Sequence, residues 1–144
     1  MSKQIFREAI QDDTDELVNL MLELGYKVKK KELSCRIKLI KSRGDKLIVA
    51  EKNGAITGVV QALIDIRLAE GKVGEIVSLV VRDGFRGKGI GKALINQAKE
   101  LLTISGCASI RIRANAIRKE AHEFYKDLGF VEKKTQKIFE QPNA

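Results

Sequence analysis

A glycine-dense turn between an apolar run and a helical pattern constrains this chain more than any other feature. The run covers residues 76–81, the turn covers residues 86–91, and the helical pattern follows at Ile90, Leu94, Ala98 and Leu101. A strand that turns directly into a helix gathers backbone N–H groups at the helix start, and glycines let a phosphate approach that backbone. The segment therefore predicts a strand–turn–helix unit that cradles a diphosphate.

Length and composition are typical of one globular domain, which we expect to span residues 1–144. The chain has 44% hydrophobic and 32% charged residues, with a single proline and no low-complexity linker. No apolar run approaches the ~20 residues that cross a bilayer, and the first residues are too polar for a signal peptide. These features predict a cytoplasmic protein without a membrane segment.

The two cysteines, Cys35 and Cys107, lie far apart in apolar sequence surroundings. Such cysteines are typical of buried free thiols in a reducing compartment rather than of a disulfide. No cluster of further ligands accompanies them, so we expect no metal site.

The formal net charge of +8 favours an anionic partner, without choosing among nucleic acid, an acidic membrane and a phosphorylated cofactor. Arg86, Lys88 and Lys92 surround the glycine turn. Eight other cationic residues crowd one segment, which we interpret as a solvated helix face, with a dedicated binding surface as the alternative: Lys27, Lys29, Lys30, Lys31, Arg36, Lys38, Lys41 and Arg43.

Periodicity and turn signals predict six strands and four helices. Asp13 and Glu16 form a capping-box pattern at the start of the first helix, Gly25 ends that helix, and Asn53-Gly54 marks a hairpin. The expected strands are residues 5–9, 46–51, 56–66, 73–81, 108–114 and 130–139, and the expected helices are residues 13–24, 30–43, 88–104 and 117–128. The order β-α-α-β-β-β-α-β-α-β predicts an α/β fold with a mixed sheet.

Two familiar phosphate-binding motifs do not fit the turn. A dinucleotide fingerprint requires glycine at position 92, where Lys92 stands, and a Walker loop requires glycine at 86 and Ser or Thr at 93. The pattern that fits is R-x-x-G-x-G, from Arg86, Gly89 and Gly91. It resembles the acetyl-coenzyme A signature of the GNAT superfamily of N-acetyltransferases. Residues 73–131 carry the resemblance, and residues 115–125 look like a subset that includes aminoalkylphosphonate acetyltransferases.

The resemblance implies acetyl-coenzyme A as cosubstrate and a set of residues that hold it. The backbone of Leu79, Val80 and Val81 would pair with the pantetheine arm, and one of these N–H groups would face the acetyl oxygen. Asn115 would bond the pantetheine, and Arg118 would meet the phosphates or cap the following helix. The pyrophosphate would bind N–H groups of Arg86, Gly87, Lys88, Gly89, Ile90, Gly91 and Lys92.

Tyr125 is the expected general acid, because it matches the family tyrosine in position. The helix around it has an apolar stripe formed by Ile117, Ala121, Phe124 and Leu128. At about 100° per residue, Tyr125 lies roughly 70° from the centre of this stripe, where a phenol faces a cleft or simply packs at the boundary. His122 lies roughly 130° from the stripe, so we expect it on the solvated surface.

Glu75 is the candidate general base, acting directly or through water. It is expected to share a strand face with Val77, Leu79 and Val81, where burial would raise its pKa. The alternative is a solvated glutamate at the start of a strand.

The leading hypothesis is an acetyl-coenzyme A-dependent N-acetyltransferase that acts on a primary amine of a small molecule or peptide. Direct attack would form a tetrahedral intermediate, with the acceptor where residues 25–31 approach the fourth strand and the final strand. The lysines nearby favour an acceptor with an acidic group. The alternatives are an inactive acyl-coenzyme A-binding regulator and a nucleic-acid-binding module, although the absence of Trp and the 5% aromatic content disfavour the latter. The resemblance leaves a homodimer open.

Overall fold

Five strands form one sheet in the order β1-β2-β3-β4-β5 in the computed structural model, which describes residues 3–113 and 119–143. The strands β1 to β4 pair antiparallel, and β5 pairs parallel to β4. This arrangement confirms the predicted α/β class with a mixed sheet. The elements are β1 Ile5–Glu8, a 3-10 helix Gln11–Asp13, α1 Thr14–Leu24, α2 Lys30–Ser42, β2 Lys46–Lys52, β3 Ala55–Arg67, β4 Gly71–Val81, α3 Ile90–Ile104, β5 Ser109–Ile112 and α4 Lys119–Asp127.

The chain divides into two compact units, Met1–Ile112 and Arg113–Ala144. The first contains the whole sheet with α1, α2 and α3, and the second contains α4. The single domain over residues 1–144 stays a prediction. None of the helices within residues 3–113 and 119–143 combines the length and hydropathy that crossing a bilayer requires, and the cytoplasmic location stays a prediction as well.

The two faces of the sheet in the first unit carry different helices. Side chains such as Val59 and Val80 pack with Leu17 and Ile37 of α1 and α2 in a buried apolar cluster. On the opposite face, a Cβ added at Gly58 would meet Leu94 of α3 at 3.0 Å. Because neighbouring residues of a strand point to opposite faces, consecutive buried apolar residues such as Val59 and Val60 of β3 supply both cores.

The predicted capping box at α1 is wrong. The Asp13 carboxylate accepts hydrogen bonds from the Arg7 guanidinium at 2.8 and 2.9 Å and from the Ile10 N–H at 2.8 Å. Glu16 accepts from the Ile56 N–H at 3.0 Å. Both carboxylates are thus committed to groups outside α1, because folding brings an arginine and a strand N–H within reach. Gly25 ends α1 as predicted, in the left-handed region at a φ of 111°.

The predicted last strand is also absent, since residues 130–143 contain neither helix nor strand. The middle of the segment, residues 132–137, is a run of six polar residues that offers a sheet no apolar face. Val131, Ile138 and Phe139 at its ends are exposed.

The buried position predicted for Cys35 is wrong, whereas both cysteines are free as predicted. Cys35 is exposed, because it precedes the inward-facing Ile37 by two residues and so lies about 200° away around α2. Cys107 is half-buried. The eight cationic residues from Lys27 to Arg43 are all exposed, which agrees with both a solvated face and a binding surface.

Candidate active site

β4 loses its neighbour on one side halfway along its length. The parallel pairing with β5 covers Val73 to Ile76, and β5 ends at Ile112 opposite Ile76. From Val77 to Val81, that edge of β4 has no strand partner within the part of the chain that the structure describes. An unpaired strand edge presents N–H and C=O groups that an extended ligand can pair with, as an added strand does.

A β-bulge lies at the start of this unpaired stretch. Val77 pairs with Gln61 and Val80 with Val59, so two β4 residues, Ser78 and Leu79, oppose a single residue of β3. Ser78 has a φ of 56°, in the left-handed region that a residue with a Cβ rarely adopts. Bulges and strained backbone of this kind concentrate next to active sites, where they redirect strand polar groups.

The bulge also changes which side chains share a face. Because Val77 and Val80 pair with residues two apart on β3, they point to the same face, together with Glu75. Val81 pairs with Gly58 and points to the α3 face. The predicted common face for Glu75 and Val81 is therefore wrong, since the extra residue in the bulge shifts the alternation by one.

The glycine turn leaves a set of N–H groups without helical acceptors. Gly87 and Gly89 have φ angles of 77° and 84°, and α3 begins at the next residue, Ile90. The first bond inside the helix runs from the Ala93 N–H to the Gly89 carbonyl at 3.0 Å, so the N–H groups of residues 90–92 have no acceptor within α3. These groups and the positive helix end form a ready anion site, with exposed Lys88 and Lys92 beside it.

The Arg86 side chain links the glycine turn to the end of β4 and to α1. Its Nε donates to the Val81 carbonyl at 2.9 Å, and its Nη2 lies 3.3 Å from a Glu23 carboxylate oxygen. The same Glu23 oxygen accepts the Asp83 N–H at 2.8 Å, so one carboxylate on α1 ties the turn at two points. Sequence reasoning missed Glu23, since nothing along the sequence links residue 23 to the turn.

Glu75 lies on the face of the sheet that α1 and α2 cover, beside the bulge. It is half-buried, and its Cα partners are Leu63 on β3 and Arg111 on β5. Glu75 takes part in an interaction with another group of the protein. The predicted general base therefore lies on the strand that carries the open edge, two residues before Val77.

The second unit contains Tyr125 in an aromatic group. Its ring centroid lies 5.6 Å from that of Phe124 and 6.3 Å from that of Phe130, and its carbonyl accepts the Phe130 N–H at 3.0 Å. Tyr125 is half-buried, which agrees with its predicted boundary position. Gly129 caps α4 in the left-handed region at a φ of 94°.

Two expectations for α4 are wrong. His122 is half-buried and engaged in an interaction rather than solvated, and Phe124 of the predicted buried stripe is exposed. The Phe124 ring contacts the Tyr125 ring of the same unit. Asn115 and Arg118 lie outside the described residues, and their roles stay predictions.

These features define a mixed-sheet α/β protein in which the edge of β4 adjoins a glycine turn, and the N–H groups that follow this turn have no acceptor within α3. The model of the acetyltransferase (GNAT) family matches residues 10–130, which include both features. The chain belongs to this family.

Individual relatives agree with the assignment. An uncharacterized N-acetyltransferase of Methanocaldococcus jannaschii is 34% identical over 91% of this chain, and the aminoalkylphosphonate N-acetyltransferase of Salmonella typhimurium is 31% identical over 57%. The matches span 62% and 54% of the length of these two proteins. The solved structure of aminoglycoside N-acetyltransferase AAC(6')-Iy in complex with CoA has a TM-score of 0.86 at 19% identity, covering 100% of this chain and 97% of its own, and this likeness supports the fold.

Proposed function

We propose that this protein is an acetyl-coenzyme A-dependent N-acetyltransferase that moves an acetyl group to a primary amine. The observation that carries the proposal is the edge of β4 from Val77 to Val81, which has no strand partner among residues 3–113 and 119–143 and continues through a bulge into the glycine turn. This combination offers strand-like pairing for an amide-containing arm and an anion site for a diphosphate at its end. Coenzyme A contains both groups in that order.

The cofactor contacts follow from the backbone. N–H and C=O groups of Leu79, Val80 and Val81 pair with the pantetheine arm, and N–H groups at residues 87–92 hold the diphosphate. The Arg86 guanidinium contributes by bracing the turn, because it is already bonded to Val81 and Glu23. Asn115 and Arg118 add contacts to the pantetheine and the phosphates.

The reaction proceeds by direct attack of a neutral amine on the thioester carbonyl carbon. A C–N bond forms, and the resulting oxyanion accepts a hydrogen bond from a β4 backbone N–H, a contact worth roughly 3–4 kcal/mol in the transition state. The C–S bond then breaks, and the leaving thiolate takes its proton from the Tyr125 hydroxyl. Glu75 removes the proton from the amine, directly or through one water.

The acceptor carries an acidic group in addition to its amine. Lys27, Lys29, Lys30 and Lys31 are exposed around the start of α2, where their field favours an anion. The relative from Salmonella typhimurium is named for aminoalkylphosphonates, which combine an amine with an acidic group. Rates for acidic amines tenfold below those for matched neutral amines would contradict this assignment.

The Tyr125→Phe variant tests the proposed acid. Turnover is expected to fall at least tenfold near neutral pH, since the phenylalanine has no proton to donate, while acetyl-coenzyme A affinity is unchanged. Thr103→Val is the control, because it removes an exposed hydroxyl near the C-terminal end of α3, away from the glycine turn and from residues 25–31. The measurement is free-thiol release across an amine library, with affinity from calorimetry.

Two results would overturn the proposal in different ways. Uptake of acetyl-coenzyme A without thiol release from any amine would make the protein a binding regulator. Equal turnover in wild type and Tyr125→Phe would move the acid role to water or to another side chain.

A further inference from the structure

An apolar cavity lies between the α1–α2 pair and the sheet in the first unit. Its volume is about 50 Å³. Four of its lining residues are buried and form a floor, and five are half-buried and form a rim. The floor is Leu17, Ile37, Leu47 and Val59, and the rim is Met21, Leu33, Ile40, Gln61 and Ser78.

The cavity borders the strand edge on which the thioester would lie. Ser78, one of its rim residues, is the strained residue of the β4 bulge, and the next residue is Leu79. Gln61 pairs with Val77, so the cavity lies on the same sheet face as Glu75. An amine between Glu75 and the thioester would therefore lie on the same sheet face as this cavity, which reaches β4 at Ser78.

The size and lining of the cavity define what it accepts. A space of about 50 Å³ accommodates only a small group. Its exposed lining is apolar, so placing an apolar group against it is favourable. A straight polar chain would leave its hydrogen bonds unmade there.

We propose that the acceptor amine carries a short branched aliphatic group of three or four carbons, which fills this cavity during transfer. The inference rests on the proposed N-acetyltransferase function and adds the class of substituent at the same site. The acidic group favoured by the lysines lies elsewhere on the acceptor, since the cavity itself offers no charged partner among its lining residues.

Neutral amines test the cavity separately from the acidic group. We expect the kcat/KM of isobutylamine to exceed that of ethylamine at least tenfold, because each well-placed methylene in an apolar pocket changes the ratio by about 10-fold or more. Equal values for the two amines would overturn the inference and leave acetyl transfer intact. Failure of acetyl-coenzyme A to bind in calorimetry would instead overturn the proposed function, and the inference with it.

Substitutions at Ile40 change the cavity in two directions. Ile40→Phe fills the rim and is expected to lower the isobutylamine-to-ethylamine ratio at least tenfold. Ile40→Ala enlarges the cavity and is expected to raise the ratio of 3,3-dimethylbutylamine to isobutylamine, a gain that general destabilisation does not produce. Leu39→Phe is the control, because Leu39 is the adjacent residue on α2 and is 64% exposed.

The variants must be compared in the folded state, which thermal unfolding and acetyl-coenzyme A calorimetry establish for each. The inference is overturned if Ile40→Phe and Leu39→Phe give the same ratios. It is also overturned if Ile40→Ala leaves the preference for larger amines at the wild-type value.

Discussion

The β1 edge of the sheet and the far end of β4 differ in the hydrogen-bond partners of their polar groups. At the β1 edge, the Arg7 guanidinium bonds Asp13 at 2.8 Å and lies 3.3 Å from Glu51, and the Ala9 N–H donates to the Leu47 carbonyl at 2.8 Å. Along the far half of β4, pairing with β5 has ended while pairing with β3 continues, and α3 then begins with N–H groups that have no acceptor within the helix. The first region joins charged and polar side chains of the protein to one another and stabilises the fold, whereas the second leaves N–H groups at a helix start for a ligand.

Removing the charge of Asp13 is expected to have the largest effect on stability. Asp13 is 5% exposed and holds Arg7, so Asp13→Asn should lower the free energy of unfolding by about 2–3 kcal/mol. Asp12→Asn is the control, since Asp12 is exposed and should change stability by less than about 0.5 kcal/mol. Denaturant titration measures both. Acetyl-coenzyme A affinity of folded Asp13→Asn should equal that of wild type; a loss there would contradict the division between the two regions.

The Asp13 carboxylate also makes the stability difference between wild type and Asp13→Asn depend on pH. Burial alone would raise the pKa of Asp13, but hydrogen bonds from Arg7 and the Ile10 N–H outweigh it and hold the pKa below its usual value. A depressed folded pKa stabilises the protein fully above the unfolded pKa of about 3.9, and this contribution is lost as the pH falls through the folded pKa. The stability gap between wild type and Asp13→Asn should therefore be constant at neutral pH and shrink below about pH 4.

Alanine variants of two glycines with similar backbone angles distinguish the effect of backbone strain on stability from the effect on ligand binding. Gly89 in the turn has a φ of 84° and Gly71 at the start of β4 has a φ of 78°, and a Cβ at either meets no atom within 4 Å. Alanine at each should lower stability by about 1–2 kcal/mol. Only Gly89→Ala should weaken acetyl-coenzyme A binding, by about 30-fold or ~2 kcal/mol, because it displaces the N–H groups that face the diphosphate. Equal affinity losses in both variants would contradict the account.

Alanine substitutions at Gly58 and Gly74 test how core packing supports the end of β4 and the start of α3. Their expected effect on binding is the smallest of those considered. A Cβ at Gly58 would lie 3.1 Å from the Val80 carbonyl oxygen and 3.4 Å from Ile90, and one at Gly74 would lie 2.7 Å from Leu102. Alanine at either should destabilise by about 1–3 kcal/mol through overpacking.

Gly58→Ala should also weaken acetyl-coenzyme A binding about fivefold, or ~1 kcal/mol, because it moves the start of α3. Gly74→Ala should bind normally, since Leu102 lies a full helix length from the turn. Normal binding in both variants would show that the start of α3 tolerates displacement.

The fold was largely predictable from the sequence because its signals are local. The Asn53-Gly54 turn, the glycine stop at Gly25 and the alternation along β3 each need only neighbouring residues to be read. The prediction of a final strand was wrong, because the polar run at residues 132–137 provides no apolar face that a sheet could bury. The capping box failed because Arg7 competes for Asp13, a partner that only the folded chain supplies.

The candidate site divides in the same way. The glycine turn was predictable, because the glycines among residues 86–91 favour positive φ angles just before a helix start. The bulge at Ser78 was not, since its register depends on how β3 and β4 pair along their whole length. Glu23 was not predictable either, because its bonds to the turn join residues 60 or more positions apart.

The most direct test of the central claim is calorimetry of acetyl-coenzyme A against S-acetylpantetheine, which lacks the diphosphate and nucleotide. The account predicts one site per chain for acetyl-coenzyme A and at least 100-fold weaker binding of S-acetylpantetheine, a difference of about 2.7 kcal/mol. Equal affinities for the two compounds, or no uptake of either by the folded protein, would contradict it.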